Sequence, residues 1–150
     1  MERVVIHSGL NGFVLLDQLN QIDPEIITGR KTFRNAPIYL GIEAMAQLGA
    51  MHVRMLSDFQ KHAFLLGVKH MEITRASESL AGEYRLEGIL KSNSDAAFSY
   101  ALTAEHSGCA REHVKIKGLF LFSVVAYNAT FKKERLENHY RKVFQCLRNA

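Results

Sequence analysis

The hydrophobic pattern is most regular between Tyr39 and Ser57, where it predicts a long helix. Apolar residues occupy nearly every side of this segment, and small residues recur at three- and four-residue steps, which lets one helix face approach a sheet closely. These small residues are Ala46, Gly49, Ala50 and Val53. A helix this apolar is expected to be wrapped by other elements rather than laid on the surface.

Most other segments have the pattern of strands. A short apolar run from about Phe13 to Leu19 predicts a buried strand, and Asp23-Pro24 then marks a turn. Further strands are predicted by apolar or alternating runs, with a turn at 92–95 closing a hairpin. These runs cover 64–68, 84–90, 98–102 and 114–124. The 114–124 run is partly apolar on both faces, which is typical of a strand inside a sheet or at a subunit contact.

The chain ends in a predicted helix from about Phe131 to Leu147, with Leu136, Tyr140, Val143 and Leu147 on one face. One long buried helix, a mostly antiparallel sheet and a C-terminal helix together predict an α+β fold. The length of 150 residues and the absence of a linker or repeat predict a single domain, 1–150.

Composition limits the function classes. The formal net charge of +4 favours an acidic partner, but the Lys and Arg residues are scattered, which argues against nucleic-acid binding. Neither an apolar signal core nor a membrane-spanning stretch is evident, so we expect a cytoplasmic protein. Cys109 and Cys146 lie far apart, which favours reduced thiols, with a single disulfide as the alternative. No His has metal-ligand spacing with another His, Cys or acid, so we predict no metal site.

The main candidate for chemistry is Glu43, a single carboxylate at the start of the apolar helix. Apolar surroundings raise the pKa of a carboxyl group, or the group is kept there for a polar function. A carboxylate near a helix N-terminus can also simply stabilise the helix end. Gln47, one turn further, faces the same way and could orient Glu43. The early amides of Gly41 and Ile42 could stabilise negative charge on a thioester oxygen.

Two motifs carry a family resemblance. The helix start Tyr39-Leu40-Gly41-Ile42-Glu43-Ala44-Met45-Ala46-Gln47, followed by Phe64-Leu65-Leu66-Gly67-Val68, resembles the hot-dog fold 3-hydroxyacyl-acyl-carrier-protein dehydratases. The pattern is most similar to the dehydratase-like branch of aryl polyene pigment clusters. The resemblance implies a helix wrapped by a curved antiparallel sheet, a homodimer with its active site at the interface, and a role in fatty-acid or polyene-type biosynthesis.

The resemblance also implies a mechanism in which one His and one acid remove water from a 3-hydroxyacyl thioester. The acid corresponds to Glu43. The family's His-Phe-Pro-Gly loop is missing here, and the N-terminal His of the pigment branch corresponds best to His7, two residues out of register. His70 is a further candidate, whereas His52 lies opposite Glu43 around the helix. The remaining histidines fall in polar stretches where exposure is expected: His62, His106, His113 and His139.

The same resemblance indicates the substrate and partner. We expect an acyl thioester carried on the phosphopantetheine of an acyl carrier protein or on coenzyme A, with no separate cofactor. The expected substrate contacts are Phe33, Gly41, Ile42, Gln47, Phe64, Leu65, Leu66 and Gly67, and the expected carrier-docking residues are Arg30, Lys31 and Arg34. Two alternatives to dehydration stay open: a hot-dog thioesterase in which Glu43 activates water, and a catalytically silent homologue that binds acyl thioesters or pairs with an active subunit.

Overall fold

The computed structural model describes residues 14–126 and 133–150. Six strands and two α-helices make up the regular structure of this part of the chain, with one short 3₁₀ turn at Ala110–Glu112. Their bounds are β1 Gln18–Ile22, β2 Ile26–Ala36, α1 Ile38–Leu56, β3 Lys61–Thr74, β4 Leu80–Asn93, β5 Ala97–His106, β6 Lys115–Ala126 and α2 Lys133–Arg148.

The six strands form one antiparallel sheet in the order β1-β2-β4-β5-β6-β3. Helix α1 contacts five of these strands, and the core lies between the helix and the sheet. The largest aromatic side chains of this core are fully buried: Tyr84, Tyr100, Phe120 and Phe122. The predicted α+β arrangement of a long helix wrapped by an antiparallel sheet is therefore confirmed.

Helix α1 approaches the sheet closely because two glycines face it. A Cβ atom at Gly49 would lie 2.6 Å from Cζ of Phe122, and one at Gly41 would lie 2.7 Å from Cδ1 of Leu80. Both distances are well inside van der Waals contact, so a side chain at Gly49 would press on the Phe122 ring, whereas one at Gly41 would require the Leu80 side chain to move. The predicted small-residue face is confirmed at Gly49, whereas Ala46 and Ala50 line a cavity instead.

The strand pattern differs from the prediction at the start of the sheet. The predicted strand near 13–19 begins only at Gln18, and residues 14–16 precede it as irregular chain. Strand β2 was not predicted from the sequence. Its buried positions are confined to 27–29 and Phe33, while most of the rest is polar and partly or fully exposed, which hides the alternation on which strand prediction depends.

The other elements agree with the sequence pattern. Strand β6 pairs with both β5 and β3, which places it inside the sheet as predicted. Helix α2 packs Phe144 edge-on against Phe59, with ring centroids 5.4 Å apart, and buries Val143 and Leu147. Within the described ranges, neither helix is long and apolar enough to cross a membrane.

Candidate functional site

One face of α1 lines a cavity of about 250 Å³. The lining positions on the helix follow its three- to four-residue period and run from Glu43 to Arg54, a rise of roughly 16 Å along the axis. These helix positions are Glu43, Ala46, Gln47, Ala50, Met51 and Arg54. The other walls come from the chain before β1, from β3, from β6 and from α2, through Val14, Leu16, Ala63, Phe64, Leu65, Phe122, His139, Tyr140, Val143 and Leu147.

Glu43 is the only acid among the described residues that line this cavity. Its side chain is exposed in the single chain. Across the described residues, no hydrogen bond or ion pair engages its carboxylate. The group is therefore accessible to a molecule that enters the cavity or to a second protein chain.

Gln47 lies one turn beyond Glu43 and lines the same cavity. Its Oε1 accepts a hydrogen bond of 2.8 Å from the backbone N–H of Leu15. This bond fixes the irregular segment before β1 against α1, where Val14 and Leu16 complete the cavity wall. Gln47 thus shapes the cavity directly, and its orienting effect on Glu43 stays a prediction.

The amides of Gly41 and Ile42 lie beyond the first turn of α1. The helix begins after Pro37, and α-helical geometry pairs the N–H of Gly41 with the carbonyl of Pro37. Pro37 provides no side-chain cap. The N–H of Leu40 also donates to the Pro37 carbonyl, at 3.0 Å. The first donors without an intrahelical acceptor are therefore those of Ile38 and Tyr39, one turn before the carboxylate.

The structure separates the predicted substrate contacts of β2 and β3. Phe64 and Leu65 line the cavity, with 37% and 40% of their surfaces exposed. Leu66 is 59% exposed on the same edge strand, and Gly67 has open space where a side chain would lie. Phe33 is in the core instead, 4% exposed and edge-on to Tyr84 at 5.6 Å, and the structure does not bring it to the cavity.

The histidines are distributed differently from the prediction. His7 lies outside the described residues. His52 is fully buried on the sheet side of α1, opposite Glu43 as expected. His62 is only 9% exposed, so the prediction of an exposed side chain is wrong there. His70 is exposed at an irregularity of β3, with a φ of 52°.

Two further histidines form a stacked pair outside the cavity. The rings of His106 and His113 are 3.6 Å apart and nearly parallel, and each side chain is half-buried. The Nδ1 atom of His106 accepts a hydrogen bond of 3.0 Å from Gly108. Within 14–126 and 133–150, no three His, Cys, Asp or Glu side chains are arranged to hold a metal ion.

Three polar residues of the cavity wall were not predicted from the sequence to lie at the site: Arg54, His139 and Tyr140. Arg54 is 9% exposed, donates a hydrogen bond of 2.9 Å to the carbonyl of Ala63 and lies 3.8 Å from the ring centre of Tyr140. Arg54 follows Glu43 at helical spacing, and Tyr140 lies on the predicted apolar face of α2. Those two signals were present in the sequence, but their contact joins segments far apart in the chain.

Two of the three predicted docking cations are in ion pairs. Arg30 lies 3.6 Å from Glu83, and Lys31 lies 3.2 Å from Asp17. Arg34 is exposed, and no acid within the described ranges pairs with it.

Comparison with solved structures identifies the fold. The chain is similar to the dehydratase heterocomplex ApeI:P from Xenorhabdus doucetiae, with a TM-score of 0.61, 15% identity, and coverage of 82% of this chain and 89% of that one. It is also similar to a mutant of thioesterase PA1618 from Pseudomonas aeruginosa, with a TM-score of 0.58, 14% identity, and coverage of 72% and 80%. Thioesterase HI1161 from Haemophilus influenzae gives a TM-score of 0.55, 7% identity, and coverage of 72% and 77%.

These neighbours are hot-dog fold proteins, and this chain has the hot-dog fold. Identities of 15% or less support the fold and not a particular reaction. No family model matches the sequence, and no curated protein matches it.

Proposed function

We propose that this chain is an acyl-thioester enzyme with Glu43 as its catalytic carboxylate, and that it dehydrates 3-hydroxyacyl thioesters in fatty-acid or polyene-type biosynthesis. The substrate would be carried on an acyl carrier protein or coenzyme A, without a separate cofactor. One observation carries the proposal: Glu43, whose carboxylate has no partner in the described structure, lies at the first position of a largely apolar cavity that follows α1.

This arrangement suits an acyl thioester. The acyl chain requires an apolar channel, and the reacting carbons beside the thioester require a proton donor or acceptor at one end of it. The row of Ala46, Ala50 and Met51 supplies apolar surface next to the carboxylate. Among the solved structures of this fold, a dehydratase complex and several thioesterases are consistent with acyl-thioester chemistry.

Dehydration needs two proton transfers. A base removes the proton from the carbon next to the thioester carbonyl, the C2–C3 double bond forms, and the hydroxyl on C3 leaves as water with a proton from an acid. In the proposed mechanism His7 is the base and Glu43 the acid, and proton exchange with solvent restores both groups. The role of His7 rests on the sequence resemblance, because this residue lies outside the described structure.

Thioester hydrolysis is the second candidate. Within the described part of the chain no His is hydrogen-bonded to Glu43, and the carboxylate is exposed to water. A carboxylate that activates water would release the acid and the free thiol without a histidine. The two reactions therefore differ in their need for His7.

We further propose that the protein forms a homodimer through the edge of β3. This strand ends the sheet, and Phe64, Leu65 and Leu66 expose 37%, 40% and 59% of their surfaces there. An exposed apolar edge strand tends to pair with another strand. Because Phe64 and Leu65 also line the cavity, a second copy paired here would border the site near Glu43.

The proposed function is tested by following two products. The protein is incubated with 3-hydroxyacyl and saturated acyl thioesters, and enoyl formation is compared with free-thiol release. We expect enoyl formation, lowered about 10²- to 10⁴-fold by Glu43→Gln and by His7→Gln. Glu78→Gln, at an exposed carboxylate in the β3–β4 turn, is the matched control and should leave the rate unchanged.

The other possible results of this experiment would change or contradict the proposed function. Thiol release that needs Glu43 but not His7 would replace dehydration by hydrolysis. Acyl-thioester binding without turnover would indicate a catalytically silent homologue, and neither binding nor turnover would contradict the proposal.

A further inference from the structure

The end of the cavity opposite Glu43 is cationic and polar. Arg54 lies on the same face of α1 as Glu43 but three helical turns further along, and His139 and Tyr140 of α2 line the cavity beside it. Tyr140 contacts the Arg54 guanidinium with its ring face and lies edge-on to His139, with ring centroids 5.2 Å apart. The cavity thus has a guanidinium at one end and, at the other, a carboxylate with no partner among residues 14–126 and 133–150.

The surrounding histidines show that the Arg54 charge acts on this region. Burial lowers the pKa of His62, and the nearby positive charge of Arg54 lowers it further. The pKa of His139 is lowered by burial and then by the positive charges of Arg54, Arg135 and Lys142. The positive charge of Arg54, which adds to the effect of burial on these two pKa values, also favours the binding of an anion.

We propose that Arg54, with His139 and Tyr140, forms a subsite for a carboxylate at the distal end of the acyl chain. This inference rests on the proposed function and adds the substrate class, namely ω-carboxyacyl thioesters. The thioester would lie at Glu43, the methylene chain would lie along Ala46, Ala50 and Met51, and the terminal carboxylate would meet the guanidinium. Guanidinium and carboxylate form strong charge-assisted hydrogen bonds in partly dehydrated sites.

The energetics favour a ligand with this charge. A terminal methyl group offers no acceptor to the Arg54 guanidinium at this end of the cavity. A carboxylate would add a charge-assisted hydrogen bond to it. We therefore expect the protein to discriminate between two chains that differ only in their last group.

The test compares three medium-chain coenzyme A thioesters of equal length, ending in a methyl group, a carboxylate or a carboxylate methyl ester. Binding is measured by titration calorimetry with the wild-type protein, using saturated chains that lack the 3-hydroxyl. We expect the carboxylate to bind ~10-fold more tightly than the methyl-ended chain, and the uncharged ester to lose this gain. Wild-type protein alone thus tests the charge requirement.

Variants then assign the effect to Arg54. Arg54→Met should abolish the preference for the carboxylate over the methyl-ended chain, and Arg54→Lys should retain part of the preference. Arg85→Met, at an exposed arginine on β4, is the matched control and should keep the full preference. Each comparison uses the ratio of the affinities for the carboxylate-ended and methyl-ended chains. A general loss of protein stability would lower both affinities and leave this ratio unchanged.

The outcomes that would contradict the subsite can be distinguished from those that would contradict the proposed function. Equal affinity of wild-type protein for all three thioesters, or tighter binding of the methyl-ended chain, would overturn the subsite and leave the proposed function intact. Equal weakening of all three ligands by Arg54→Met would show that Arg54 only ties α1, β3 and α2 together. Failure of every thioester to bind would overturn both proposals.

Discussion

His52 and Tyr100 are hydrogen-bonded in the core between α1 and the sheet, with 2.5 Å between Nδ1 and the phenolic oxygen. The other ring nitrogen of His52 lies 2.7 Å from the carbonyl oxygen of Asp23. A neutral imidazole satisfies both contacts when Nε2–H donates to the carbonyl and Nδ1 accepts from the hydroxyl. The pair therefore links the turn after β1 to the helix and to β5.

The first prediction concerns the pH dependence of stability. Burial lowers the pKa of His52 in the folded protein, whereas the unfolded chain takes up this proton near pH 6.5. The unfolded state then binds more protons below that pH, so the His52 contribution is fully present above about pH 6.5 and is lost as the pH falls. We expect chemical denaturation to give a lower free energy of unfolding at pH 5.5 than at pH 7.5.

The variant His52→Gln should have a flatter profile and lose about 1–3 kcal/mol at pH 7.5, because it disturbs two buried hydrogen bonds. His62 and His139, whose pKa values burial also lowers, should retain part of the pH dependence. His70→Asn is the control, since His70 is exposed and Asn tolerates its positive φ of 52°. An unchanged pH profile in His52→Gln would contradict this account.

The second prediction concerns the contact between α1 and the sheet. Gly49→Ala would place a Cβ atom 2.6 Å from the Phe122 ring, and the buried ring and helix cannot separate without loss of packing. We expect a loss of about 1–3 kcal/mol in the free energy of unfolding, although Ala is the better helix former. Gly67→Ala is the matched control, because no atom lies within 4 Å of the added Cβ. Equal stability of the two variants would refute the close approach.

Much of the fold could be predicted because its strongest elements have strong local patterns. Helix α1 is continuous and apolar, and the face that carries Gly49 follows from helical periodicity alone. Strand β2 lacks such a pattern, since its polar residues are tolerated where one side of the strand faces solvent. Its position depends on pairing with β1 and β4, which no local window contains.

Only the Glu43 end of the cavity could be predicted from the sequence. Glu43 and Gln47 were identifiable because their chemistry contrasts with the helix around them, and both line the cavity. Arg54 gave a weaker signal, because a basic residue in the last turn of a helix is usually explained by the helix dipole. Its contact with Tyr140 depends on how α2 packs across the end of α1, which involves residues 86 positions apart.

The third prediction concerns the proposed dimer. Leu66 is the most exposed of the three apolar residues on β3 and does not line the cavity. Leu66→Arg should therefore convert a dimer into a monomer by placing charge on the edge strand, with little change in the folding of each chain. Light scattering measures the mass, and circular dichroism checks the fold. A monomeric wild-type protein, or a variant that stays dimeric, would exclude this edge as the interface.

The last prediction separates the three cations proposed to dock a carrier protein. Arg30 and Lys31 already have acidic neighbours, Glu83 and Asp17, so part of their charge is neutralised. Arg34 is exposed without such a neighbour in the described structure and lies on β2 shortly before α1 begins. An acidic carrier should therefore depend more on Arg34 than on the other two.

We expect Arg34→Glu to lower kcat/KM about tenfold for a carrier-linked thioester at low salt, while a small thioester analogue is processed at the wild-type rate. Arg30→Glu should have a smaller effect, because Glu83 already neutralises part of the Arg30 charge. The difference between the variants should shrink as ionic strength rises, since the charges involved are exposed and screened by salt. Equal effects of Arg34→Glu on carrier-linked and small thioesters would place its influence on the site itself and contradict docking.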